Sequence, residues 1–190
     1  MNKVFAENEV FNGIDYNDNP FAFTDFENCT FINCIFTSVN LKNISFAECA
    51  FETCDLSNAK ISNTSFKDIK FNNCKLMGLH FEQANDFLFF VDFDSCQLSF
   101  SSFYKCVLKS TRFRNCNLQE VDFTEADLSI SHFDNCDLSG AHFENTNLQK
   151  ADFRSAFNFT IDPELNRIKK AKFSRLDLEG LLHKYDIVIE

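Results

Sequence analysis

The stretch VDFTEADLSISHFDNCDLSGAHFENTNLQKADF, residues 121–153, places a large apolar residue at every fifth position: Phe123, Leu128, Phe133, Leu138, Phe143, Leu148 and Phe153. Followed backwards, Leu and Phe alternate without a miss from Leu88. A five-residue period matches neither the 3.6 of an α-helix nor the 2 of a strand, so neither element can turn this row to one core. A coil of short straight sides can. Each pentad forms one side, points its central residue inward and turns, and stacked turns bury a continuous axis.

The cysteines set the number of sides. All nine lie two residues before a central residue, the second inward position, and five pairs are 20 residues apart: Cys29 with Cys49, Cys34 with Cys54, Cys54 with Cys74, Cys96 with Cys116, Cys116 with Cys136. Twenty residues are four pentads, so like stacks on like at about 4.8 Å, the spacing of neighbouring strands. The Leu/Phe alternation agrees, because four sides give two Phe columns and two Leu columns whereas three would stack Phe on Leu. Asn recurs two residues after the centre, at 28, 33, 43, 58, 63, 73, 115, 135 and 145. Asn tolerates left-handed and turn conformations, so these positions are the corners.

The chain of 190 residues is long enough for one domain, and its 26 Phe, 4 Gly, 2 Pro and absence of Trp follow from the repeat. The nine cysteines read as buried thiols rather than a secreted disulfide scaffold, although stacking brings some Cα atoms within bonding range. The opening MNKVFAENEV lacks the basic end and apolar run of a signal peptide, and no apolar stretch is long enough to span a bilayer. A cytoplasmic location is expected. The net charge of −10 argues against direct binding to nucleic acid or anionic membranes. It either keeps a rod soluble or addresses a basic partner.

Residues 1–20 read as a ragged cap, since Glu9 and Asn19 occupy inward positions. The repeat is firm over 21–153 with one slip: Phe81 to Leu88 is seven residues, which puts two extra residues within 82–87. Phe87, Phe89 and Phe90 beside it form an outward contact patch, unless one or two fold inward to fill the space. Residues 154–173 read as a loop returning in a last partial turn through Ala171 and Phe173. In 174–190, Ser174 and Asp177 have the form of a capping box, Leu178, Leu181, Leu182 and Tyr185 make one apolar helix face, and Ile187, Val188 and Ile189 read as a short strand. Such an ending either caps the rod or joins two rods as a twofold dimer.

Enzymatic readings find no support. His132 and His142 fall two sides apart, His80 and His183 are remote, and the 4 glycines form no phosphate-binding loop. No catalytic residue, metal or cofactor is expected.

With A-D/N-L/F-x-x units over most of its length and the ending IDPELNRIKKAKFSRLDLEGLLHKYDIVIE, the chain resembles a pentapeptide repeat protein. The ending resembles that of the topoisomerase-interacting members: the Qnr quinolone-resistance proteins, the mycobacterial MfpA type and the McbG immunity protein. The resemblance implies an all-β fold, a right-handed quadrilateral β-helix with a short C-terminal helix, dimerised through that end and imitating duplex DNA. It also implies DNA gyrase or topoisomerase IV as partner, inhibited or rescued from quinolones or a peptide toxin. Qnr members carry two projecting loops, and here the one interruption is the slip.

The charges support that partner. In the four-sided arrangement Asp122, Glu125 and Glu144 share the side of Phe103, Phe123 and Phe143, with Glu120 and Asp127 at its edges and Lys105 interrupting it. The alternative is a repeat scaffold for some other protein, with the acids forming a solvated face.

Overall fold

The computed structural model describes residues 4–185, 187 and 188, and the chain winds through it as a four-sided parallel β-coil. Strands Phe5–Glu7, Asp25–Glu27, Ser45–Ala47 and Ser65–Lys67 pair in parallel on the first side. Nine strands, from Val10–Asn12 to Lys172–Phe173, stack on the second. The third and fourth sides are joined by isolated parallel bridges, among them Gln97 to Asn117 to Asp137 and Ser102 to Asp122 to His142. Nine levels at the inter-strand spacing make a rod about 40 Å long.

The twenty-residue register stacks rings face to face within a column and edge to face across a corner. Phe113 and Phe133 lie 5.0 Å apart at 5°, whereas Phe103 and Phe113 lie 6.0 Å apart at 83°. Both arrangements suit the aromatic quadrupole. The separation into Phe columns on the second and fourth sides and Leu columns on the first and third holds after the slip. Before it, Phe26, Phe46 and Phe66 fill the first side, while Leu41 and Ile61 are centres of the fourth.

At the corners, 25 non-glycine residues among those described hold φ between 49° and 66°, and 11 of them are Asn. Left-handed backbone costs an ordinary L-residue about 1–2 kcal/mol. Here most corner N–H groups are spent on the next turn, as when Asn115 donates to the Asp134 carbonyl at 2.8 Å. A second device precedes each centre. The side chains of Asp55, Asn117, Asp122, Asp127 and Asp137 each accept the backbone N–H two residues on, at 2.9–3.1 Å, pinning the side before it turns. All nine cysteines are free thiols, eight buried and Cys106 half-buried. Cys54 Sγ donates to the carbonyls of Phe31 and Glu52 at 3.3 and 3.4 Å, so burial leaves it satisfied.

Four expectations change. The first turn pairs on three of its four sides: Phe5–Glu7 with Asp25–Glu27, Val10–Asn12 with Thr30–Ile32, and Asp15 bridging Ile35. The slip falls later than 82–87, because Asn85 still bridges Ser65 and the register resumes with Val91 opposite Ile69. Leu88 is therefore a corner, 64% exposed with φ 58°, and Phe89 turns inward in its place. Residues 154–173 make a full turn, with Phe157 bridging Asp137, Arg167 bridging Asn147 and Phe173 stacked 5.3 Å from Phe153.

The expected short C-terminal helix is present, of 3-10 rather than α form. Arg175–Leu181 and His183–Tyr185 form 3-10 turns, with Ser174 Oγ accepting from Leu176 N–H at 3.1 Å. Ile187 and Val188 belong to no strand, and Ile189 lies outside the described residues. Gly180 explains the close fit: its carbonyl accepts from Ile161 N–H at 2.9 Å, and a Cβ there would clash with the Phe159 carbonyl oxygen.

Candidate functional site

The bridges that stack Ser102, Asp122 and His142 bring Asp122, Glu125 and Glu144 to one side, the fourth, with Glu120 and Asp127 at its two edges. Their roles divide. Asp122 and Asp127 are half-buried and hold their own backbone: Thr124 and Ser129 N–H donate to them at 2.9 Å, and Asn147 Nδ2 also donates to Asp127 at 2.9 Å. Glu120, Glu125 and Glu144 are exposed. His142 Nε2 lies 3.8 Å from Glu120, and Lys105 lies 3.5 Å from Glu125, which also accepts from the Tyr104 hydroxyl at 3.2 Å.

Two acids extend this side beyond those read from sequence. Asp162 and Glu164 lie one register after His142 and Glu144, and that 20-residue offset is the signal that could have found them. Lys184 lies 2.9 Å from Asp162 and 2.7 Å from Glu164, and its contact depresses both carboxyl pKa values. Asp122, His142, Glu144, Asp162 and Leu165 line an open hollow of 570 Å³.

The second side is, by contrast, internally balanced. Asp94, Arg114 and Asp134 occupy one row, with Arg114 2.9 Å from Asp94. The net negative charge is thus displaced to the other sides.

Of the three phenylalanines at the slip, Phe89 packs inward, its ring 6.5 and 6.3 Å from Phe66 and Phe81. Phe87 and Phe90 face outward with Leu88 and Val107, and Lys67 lies 5.6 Å over the Phe87 ring. They occupy the first side rather than the acidic fourth. At the tip, Leu181 packs on the core and Leu182 is half-buried, while Leu178, Tyr185 and Ile187 are exposed beside a 490 Å³ hollow. Among the described residues, no group of His, Cys, Asp and Glu could hold a metal ion, and no helix is long and apolar enough to cross a membrane.

The coil is similar to solved structures of trypsin-treated variants of QnrB1, described as a plasmid-mediated fluoroquinolone resistance protein. One is 20% identical with a TM-score of 0.65 over 99% of both chains. Another is 22% identical with a TM-score of 0.51 over 99% of this chain and 98% of that one. At such identities the likeness concerns the fold, the quadrilateral β-helix. A comparison with curated proteins finds no match. The model of the pentapeptide repeat region matches residues 24–89 and 86–182, most of the chain. With its five-residue sides, four-sided turns and left-handed corners, the chain belongs to the pentapeptide repeat family.

Proposed function

We propose that this chain binds the DNA-binding surface of a type II topoisomerase, DNA gyrase or topoisomerase IV, as a partial mimic of duplex DNA, and so modulates the enzyme. The observation that carries the reading is the exposed acids of the fourth side, Glu125 and Glu144 with Glu120 at its edge, followed one register on by Asp162 and Glu164, which Lys184 holds together. Ten net negative charges over about 40 Å are sparser than the charge of DNA, one per about 1.7 Å, so the mimicry is partial. Electrostatic complementarity of this kind sets orientation and on-rate more than raw affinity. The tip around Leu178, Leu182, Tyr185 and Ile187 is the proposed joint between two rods. The fold's likeness to a fluoroquinolone resistance protein supports quinolone protection as the form the modulation takes.

The test is supercoiling and drug-stabilised cleavage with added protein. Glu120→Lys, Glu125→Lys and Glu144→Lys combined should abolish the effect. The corners accept lysine, since Lys105 and Lys150 hold the same backbone conformation. Lysines at Met77, Gln97 and Gln119 on the third side should change it far less. No effect of the wild type on either reaction at low salt would favour a scaffold for another protein.

A further inference from the structure

The first side carries opposite charge at its two ends. On the four levels before the slip it presents Glu7, Asp25, Glu27, Glu48 and Asp68 against Lys67, a net −4. On the four levels after it come Lys109, Lys150, Arg167, Lys169 and Lys170 against Asp127, a net +4. Between them lies the apolar patch of Phe87, Leu88, Phe90 and Val107, with Leu88 64% and Val107 66% exposed, and with Asp86 at its edge. The slip thus sits at the midpoint of a side whose halves are electrostatic opposites.

We propose that two copies of this chain associate side by side and antiparallel through their first sides, with the twofold axis at the slip. A rotation about that axis lays the acidic half of each copy on the basic half of the other and brings Leu88 and Val107 against their own counterparts. This is the isologous, self-complementary pattern of a twofold interface. An apolar centre with charged ends also matches the usual anatomy, in which the centre excludes water and the rim fixes direction. Parallel placement would set like charge on like. A partner of uniform charge would be drawn to one half and repelled by the other, so the second copy is the occupant this side fits. The contact is separate from the proposed joint at the tip and does not depend on the topoisomerase reading.

Two charge-reversed chains test it. Glu7→Lys with Glu27→Lys makes both halves of the first side basic or less acidic, and Lys150→Glu with Lys170→Glu makes both acidic or less basic. Neither pair challenges the fold, because Lys67 already stands in the row of Glu7 and Glu27, and Glu48 already holds the corner conformation of Lys150 and Lys170. Both pairs are made in the Leu182→Glu chain, which removes the proposed tip joint. Sedimentation equilibrium should show that chain as a dimer, each pair of reversals dissociating it at least tenfold more readily, and an equimolar mixture of the two recovering much of the loss, because the reversed groups then face each other. Val107→Glu should also weaken the dimer, by placing like charges at the axis. A Leu182→Glu chain that is monomeric, reversals that leave its dimer unchanged, or a mixture that stays dissociated would overturn the proposal.

Discussion

The carboxylate of Asp152, only 6% exposed, lies 2.7 Å from the guanidinium of Arg154 and 3.3 Å from Lys172 one turn on. The hydrogen bonds from Arg154 hold its pKa well below the usual carboxylate range, although burial pushes the other way. A depressed folded-state pKa contributes stability that is fully present above the unfolded value, about 3.9, and is lost as pH falls through the folded one. Asp152→Asn should therefore cost about 1–3 kcal/mol at pH 7 and progressively less below pH 4. Urea unfolding of both proteins at pH 7 and pH 3 reads it, and a cost unchanged between the two would contradict the ion pair.

Leu88 and Ile130 hold the left-handed corner at φ 58° and 63° and expose much of their side chains. Ile130 N–H still bonds the Gln149 carbonyl at 2.9 Å, so the strain is offset by the coil rather than removed. Replacing either by Asn, the commonest corner residue here, should stabilise by about 0.5–1 kcal/mol. Phe89→Ala, by contrast, should cost about 2–4 kcal/mol, because it empties a core position. Thermal unfolding of the three variants separates the roles. A larger loss at Leu88 than at Phe89 would contradict the inward assignment.

That contrast marks where sequence stopped deciding. The five-residue frame identified the core columns, the buried thiols and the Asn corners, because each is a repeated choice imposed by one geometry. Inside the slip, Phe87, Leu88, Phe89 and Phe90 are all apolar, and composition does not say which fills the axis. Counting back from Phe93 selects Leu88, whereas the two extra residues move the inward direction to Phe89. Asp122 and Asp127 read as surface acids, yet Asn117 and Asn147, at the same place before a centre, accept the same backbone N–H, which shows that the oxygen rather than the charge is used. The leucine spacing near Leu178 suggested an α-helix. Gly180, pressed on Phe159, and the 3-10 turns around it reflect packing against the last coil, which no local pattern encodes.

Burial pushes the Cys49 and Cys106 thiols up to about 12, so little reactive thiolate forms at neutral pH. Cys106 alone is half-buried, beside a 410 Å³ cleft lined by Phe89 and Val107. A thiol reagent should modify it first in the native protein, and the eight buried thiols should follow only with unfolding. Peptide mapping after a short exposure identifies the site. Rapid labelling of Cys74 or Cys96 in the native protein would contradict the buried column.

Whether the acidic fourth side takes the place of duplex DNA is read by competition on the enzyme. A labelled linear duplex is bound to DNA gyrase and titrated with this protein at increasing ionic strength. Displacement should weaken steeply with salt and be lost when Glu120, Glu125 and Glu144 are all reversed to Lys. Binding that leaves the duplex in place, or displacement unchanged by those reversals, would contradict it.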